Sequence, residues 1–181
     1  AQRRFALSAI GRAWAREAPN AALAWADSLV LDDRTAMLDA VFQGWAETGD
    51  NDVWKALGAM DQGVDRESGT NVVMKWKIQN EGFDALFDEV DALKTRFEPG
   101  SPRDFKLSAL RSAIGLCAFY DPEKALAFAR RYTGTPYDNG LLRRVAIFWV
   151  VNDGPSAMDA ILALPESACL LYTSPSPRDE D

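Results

Sequence analysis

Trp14, Trp45 and Trp76 stand 31 residues apart, twice in succession. An even return of the largest apolar side chain at a period in the thirties constrains a chain severely. It is the spacing at which pairs of helices stack, each pair too small to bury its apolar faces alone. The repeating stretch is clearest in residues 13–29, AWAREAPNAALAWADSL. It reads as the end of one amphipathic helix, a proline-marked turn and the start of a second, and weaker echoes of it follow four more times.

Within the first unit Leu7, Ile10 and Trp14 fall on one helical face, leaving Arg3, Arg4, Arg12 and Arg16 for water. Ala18-Pro19 ends that helix, because a residue before proline is driven out of the helical region, and Pro19 suits the first position of the next. Ala22, Trp25, Ala26 and Leu29 then share a face. So short a turn predicts two antiparallel helices with facing apolar stripes.

The second unit opens at Asp32-Asp33, acids that complement a helix start, and runs Met37, Val41, Trp45, then Val53, Leu57 and Met60 after a Gly49–Asp52 turn cluster. In the third, Val72, Val73 and Trp76 form the first stripe. Glu81-Gly82 turns the chain, and Phe83, Leu86, Phe87, Val90 and Leu93 return with Asp84, Asp88, Glu89 and Asp91 opposite. Residues 95–104, TRFEPGSPRD, cannot continue a helix and read as a joint. The fourth unit carries Leu107, Leu110, Ile114 and Cys117. Asp121-Pro122 then serves as cap and first helical residue before Ala125, Phe128, Ala129 and Tyr132. The fifth has Leu141, Val145, Phe148 and Trp149, the turn Asp153-Gly154-Pro155, then Met158, Ile161 and Leu162. Apolar–polar alternation never persists, so no sheet is expected.

These motifs resemble the α-hairpin repeats of the tetratricopeptide-like and HEAT-like superhelical class, and more closely bacterial arrays with a recurring A-x-W-A…D-P-x-x-A-L-x-W/F-A pattern. The echo is direct where FYDPEKALAFA follows AREAPNAALAWA, with Pro122 on Pro19, Leu126 on Leu23 and Phe128 on Trp25. The resemblance covers about residues 3–164. It implies an all-α fold, a right-handed solenoid of about five antiparallel hairpins in residues 1–168, and a protein-binding scaffold rather than a catalyst. The tail has another likeness: CLLYTSPSPRD, residues 169–179, resembles the translation of a transposon adapter used in preparing sequencing libraries. Residues 169–181 are therefore expected to be an artefactual, disordered read-through, and both ends of the chain are read as cuts. With Cys169 set aside, Cys117 is the one remaining cysteine, so no internal disulfide is expected and compartment is left open.

A net charge of -7 and a pI near 4.7 argue against a nucleic-acid groove or an anionic membrane surface, both of which need clustered Lys and Arg. No apolar run approaches the roughly 18 residues of a spanning helix. There is no histidine, which removes His-based triads, His metal sites and the commonest general base. Cys117 is in register with Ile114 and Leu110 and reads as a packing residue. Asp50-Asn51-Asp52 lacks the glycine and glutamate of a calcium loop and reads as a helix cap. The acids of residues 84–91, opposite a Phe/Leu stripe, read as a solvated face. No cofactor or metal is expected.

One cluster stands out in the acidic chain. Arg130-Arg131 and Arg143-Arg144 bracket TGTPYDNG, whose Tyr137 sits between a proline and an acid. Together Arg130, Arg131, Tyr137, Arg143 and Arg144 are the candidate contacts for an acidic peptide or phosphate, against the plainer reading of arginines complementing a helix end. The expected function is a non-catalytic scaffold for a protein or peptide partner. The alternative is a helical accessory domain of a larger enzyme, such as a bacterial cell-wall lytic enzyme, by fold analogy alone.

Overall fold

Pro19 and Pro122 each stand in the first turn of a helix, and Gly82 turns the chain at φ 87° between two others, so the sequence's punctuation is realised residue by residue. The computed structural model describes residues 2–95, 97–138 and 140–162. Among them are ten α-helices and no strand: α1 (Gln2–Ala15), α2 (Pro19–Ala26), α3 (Leu31–Ala46), α4 (Asp52–Ala59), α5 (Val64–Asn80), α6 (Gly82–Asp91), α7 (Phe105–Tyr120), α8 (Pro122–Arg130), α9 (Leu141–Asn152) and α10 (Gly154–Leu162). The fold is all-α. The chain divides into two compact units, Ala1–Ala109 and Leu110–Asp181. The tail that resembles adapter read-through, residues 169–181, lies outside the described residues.

In the first unit α3 is central, packed against α1, α2, α4 and α5. Its Met37, Leu38, Val41, Phe42 and Trp45 are all buried. What brings α1 and α5 so close to it is the absence of side chains. A Cβ on Gly44 would stand 2.2 Å from the Arg12 carbonyl oxygen, so the backbones of α1 and α3 are in direct contact there. On the other flank, a Cβ on Gly69 would lie 2.5 Å from the Phe42 ring, which fills the space the glycine leaves on α5.

That close approach corrects the expected α1 stripe. The buried residues are Leu7, Gly11 and Ala15, while Ile10 is exposed and Trp14 half-buried against the exposed Trp25, their rings 6.0 Å apart. The face that meets α3 is the one with the smallest residues, so the larger apolar side chains sit beside it. The α1 arginines, expected to face water, are exposed yet ion-paired with α3: Arg3 to Asp33 at 2.6 Å, Arg4 to Asp32 at 3.0 Å, and Arg12 and Arg16 both to Glu47. Between α3 and α5 the links are Arg34 to Asp65 at 2.9 Å and the Ser68 hydroxyl donating to Asp39 at 2.6 Å.

The α5 stripe is corrected too. Val73 is buried, but Val72 and Trp76 are only half-buried, and the inward face is completed by Arg66, Gly69, Thr70, Met74 and Lys77. Each polar member has a local partner: Thr70 donates to the Arg66 carbonyl at 2.7 Å, and Arg66 lies over the Phe105 ring at 5.7 Å. Of the four tryptophans expected in the core, Trp45 and Trp149 are buried and Trp14 and Trp76 half-buried, whereas Trp54, outside that series, is buried.

In the second unit α9 packs against α8 and α10. Leu110, Ile114 and Cys117 of α7, Ala125, Phe128 and Ala129 of α8, and Leu141, Val145 and Trp149 of α9 are buried as expected. In α10 the expected stripe does not hold, because Met158 and Leu162 are exposed and Ala157 is the residue turned inward; the Ile161 side chain lies outside the described residues. Asp121 accepts from the Lys124 backbone N–H at 3.0 Å and Asp153 from that of Ser156 at 3.1 Å, capping α8 and α10.

Gly44→Ala should cost about 2 kcal/mol in urea unfolding followed by circular dichroism, since backbone must move to admit one methyl. Gly154→Ala, where nothing lies within 4 Å, should change stability by less than about 0.5 kcal/mol. Burial raises the Glu47 carboxyl, but the hydrogen bonds and charges of Arg12 and Arg16 outweigh it and hold the pKa below the ordinary 4.5. A carboxylate depressed by folding stabilises above its unfolded pKa and loses that contribution as pH falls through the folded one. Glu47→Gln should therefore lower stability at neutral pH and flatten its decline below about pH 4.5, measured as urea midpoints at each pH.

Candidate functional site

Trp54 projects from α4 because its i−1 and i+3 neighbours, Val53 and Leu57, hold the helix to the core while the indole points along the α6 side. Its Nε1–H donates to Glu89 Oε2 of α6 at 2.8 Å, and the ring packs 6.5 Å from that of Phe105, the first residue of α7. Glu89's other oxygen accepts from Lys77 Nζ of α5 at 2.6 Å, and Lys77 also reaches both oxygens of Glu81 at 3.3 Å. The Lys77 side chain is only 3% exposed. An ammonium so thoroughly removed from water is tolerable only where carboxylates surround it, and here two do.

In front of this network lies a cavity of about 720 Å³. Trp54, Gly58 and Ala59 of α4, Ala92 and Leu93 after α6, Phe97 and Phe105 form its mainly apolar wall, with Glu89 at the back and Lys55, Asp88 and Lys94 around the opening. From residues 95–104, which the sequence reads as a joint, Thr95 and Phe97 contribute to the lining. The loop is held by Asp104, fully buried, which accepts from the backbone N–H groups of Gly100 and Lys106, each at 3.0 Å.

The mainly apolar wall is suited to holding an apolar group. Both Glu89 oxygens are already engaged, and Lys55 at the rim is paired with Asp52 at 2.6 Å. Glu89 also corrects a sequence reading: it belongs to a buried ion network, whereas its helix neighbours Asp84, Asp88 and Asp91 are exposed as expected. Asp50, in the sequence Asp50-Asn51-Asp52, accepts from the Asp52 backbone N–H at 2.9 Å and from the Trp45 indole at 3.2 Å, and these bonds hold its pKa below the usual carboxylate value. Among the described residues no cluster of His, Cys, Asp or Glu could hold a metal ion, and no helix is long and apolar enough to cross a membrane.

The arginine cluster lies in the second unit. Arg130 is exposed in the last turn of α8, and Arg131, also exposed, lies over the Phe128 ring at 5.2 Å. Tyr137 is half-buried, its ring edge-on to Tyr132 at 6.1 Å. Arg143 is exposed, but Arg144 turns inward beside Gly115 of α7 and over Phe148 at 5.4 Å. Burial, and secondarily the charge of Arg111, pushes the Arg144 pKa down. Of the four arginines, Arg130, Arg131 and Arg143 are exposed and Arg144 is half-buried.

Sequence reasoning missed Trp54, Phe105, Lys77 and Glu89. The available signal was Lys77 itself, in register four residues beyond Val73 on a core stripe. No protein-family model, no curated protein and no solved structure matches the chain.

Removing Glu89 should expose what it does for Lys77. Glu89→Ala should cost about 3 kcal/mol, because it leaves a buried ammonium with only the longer contacts to the exposed Glu81, whereas the double change Lys77→Met with Glu89→Gln should recover most of that loss. Urea midpoints of the three proteins, with unchanged helical circular dichroism in buffer, provide the measurement.

Proposed function

We propose that this chain is a stretch of α-solenoid, about five antiparallel hairpins with a right-handed superhelical sense, that acts as a non-catalytic scaffold for a protein or peptide partner. Lateral spacing supports the solenoid. Arg16 to Glu47, each the residue just past its helix, links the ends of α1 and α3, and Arg34 to Asp65 links α3 to α5, in both cases across 31 residues, the interval of the tryptophan series. Equivalent residues of successive units thus meet side by side, as stacked repeats require.

The observation that carries the binding reading is the aromatic-walled cavity between α4 and α6. Its wall is mainly apolar and aromatic, so an entering ligand is asked for apolar surface and shape, the demand that a protruding Leu, Phe or Trp side chain of a peptide meets. The exposed Arg130, Arg131 and Arg143, with Tyr137 half-buried and Arg144 set inward, offer charge.

A phage-displayed peptide library selected on the full chain tests this. Enriched peptides should share one large apolar anchor, and their affinity should fall at least tenfold on Ala92→Trp, a change at an exposed position that places an indole in the cavity. Peptides that bind Ala92→Trp as well as the unaltered protein, or a selection that enriches nothing, would overturn the proposal.

A further inference from the structure

The apolar cavity has a neighbour. On the other flank of α4, a second recess of about 830 Å³ is bounded by the end of α2, the first turns of α3 and the 60–65 segment entering α5, and Ala59 lines both. Its character is opposite. Asp27, Asp32, Asp61 and Asp65 line it against a single cation, Arg34, which is tied to Asp27 at 3.1 Å and Asp65 at 2.9 Å. Asp32 is also paired with Arg4 at 3.0 Å, so four carboxylates meet two guanidinium groups and the recess keeps a surplus of negative charge, in a concave site where low-dielectric walls concentrate the field.

We infer that the two recesses are one docking surface, and that its occupant is a basic segment of a partner protein that seats an apolar anchor beside Trp54 and Phe105 and a lysine or arginine among Asp27, Asp61 and Asp65. The inference rests on the scaffold reading above and adds the partner's chemistry. Charge complementarity selects this occupant: the apolar recess alone would take any anchor, but an acidic segment crossing α4 would bring like charges together at Asp61. A helix is about 10 Å across, so an extended chain spans α4 in about three residues, which sets the separation of anchor and cation.

Two fluorescein-labelled twelve-residue peptides provide the probe, each with one central Trp, one carrying lysines three and four residues further on and the other glutamates there. Fluorescence anisotropy with the full chain should give the lysine peptide at least a tenfold lower Kd at low salt, the gap shrinking at 0.5 M salt as exposed charges are screened. Asp61→Lys should erase most of that preference while Asp159→Lys, on an exposed acid of α10, leaves it intact, and Ala92→Trp should weaken both peptides. Equal affinity for the two peptides overturns the charge assignment while leaving the apolar anchor standing. A lysine preference that survives Asp61→Lys also overturns it, since the attraction would then come from net charge. If neither peptide binds, both the docking surface and the scaffold reading fail.

Discussion

The first unit depends on one contact, the backbone of α3 at Gly44 against the Arg12 carbonyl of α1. Helix axes normally stand about 8–10 Å apart because side chains intervene, and here nothing intervenes on the α3 side. Neighbouring contacts take their form from that. Met37 reaches so near Gly11 that a Cβ there would lie 2.7 Å from its sulfur, and Glu47, one turn beyond Gly44, comes within reach of both Arg12 and Arg16. With α1 fixed on one flank and Gly69 of α5 receiving Phe42 on the other, α3 has no freedom to slide. Because α4 follows α3 after a short turn, the position of Trp54 over α6 inherits this rigidity.

The same contact explains which parts of the fold were legible in the sequence. Helix starts were, because proline and aspartate act through the backbone within a few residues: Pro19, Pro122 and Asp121 do what local rules require. Stripes made wholly of large apolar residues were also readable, as in α3, where Met37, Val41 and Trp45 are buried in register. The α1 stripe was not. Hydrophobic periodicity weights a residue by its apolar bulk, and at a close helix crossing the residue in contact is the one without bulk. Ile10 and Trp14 therefore drew the reading away from Gly11 and Ala15. In α5 the obstacle was polarity: Arg66, Thr70 and Lys77 look like surface residues until the partners that satisfy them, in other helices or one turn away, are in place.

The candidate site was largely hidden for a related reason. Trp54, Glu89 and Phe105 come from three helices, and no spacing along the chain marks them as neighbours. Glu89 shares a helix face with acids that are indeed solvated, and only the indole of Trp54 and the ammonium of Lys77 distinguish it from them. Local pattern can report the face on which a residue lies. It cannot report that another element arrives there bearing a complementary group.

Electrostatics make the same point at larger scale. A net charge of -7 argues against nucleic acid or anionic lipid as a partner, and by itself it would suggest that an arginine cluster is the place where binding charge gathers. Yet net charge says nothing about where charge is concave. Arg130, Arg131 and Arg143, at the end of α8 and in α9, are exposed, where solvent screens their charge. Beside α4 the aspartates line a recess, so their field acts on whatever enters it with less intervening water. Under the proposed docking, a cation brought by a partner would meet that field inside the recess, which would make discrimination between basic and acidic segments a property of the recess and not of the chain's overall acidity.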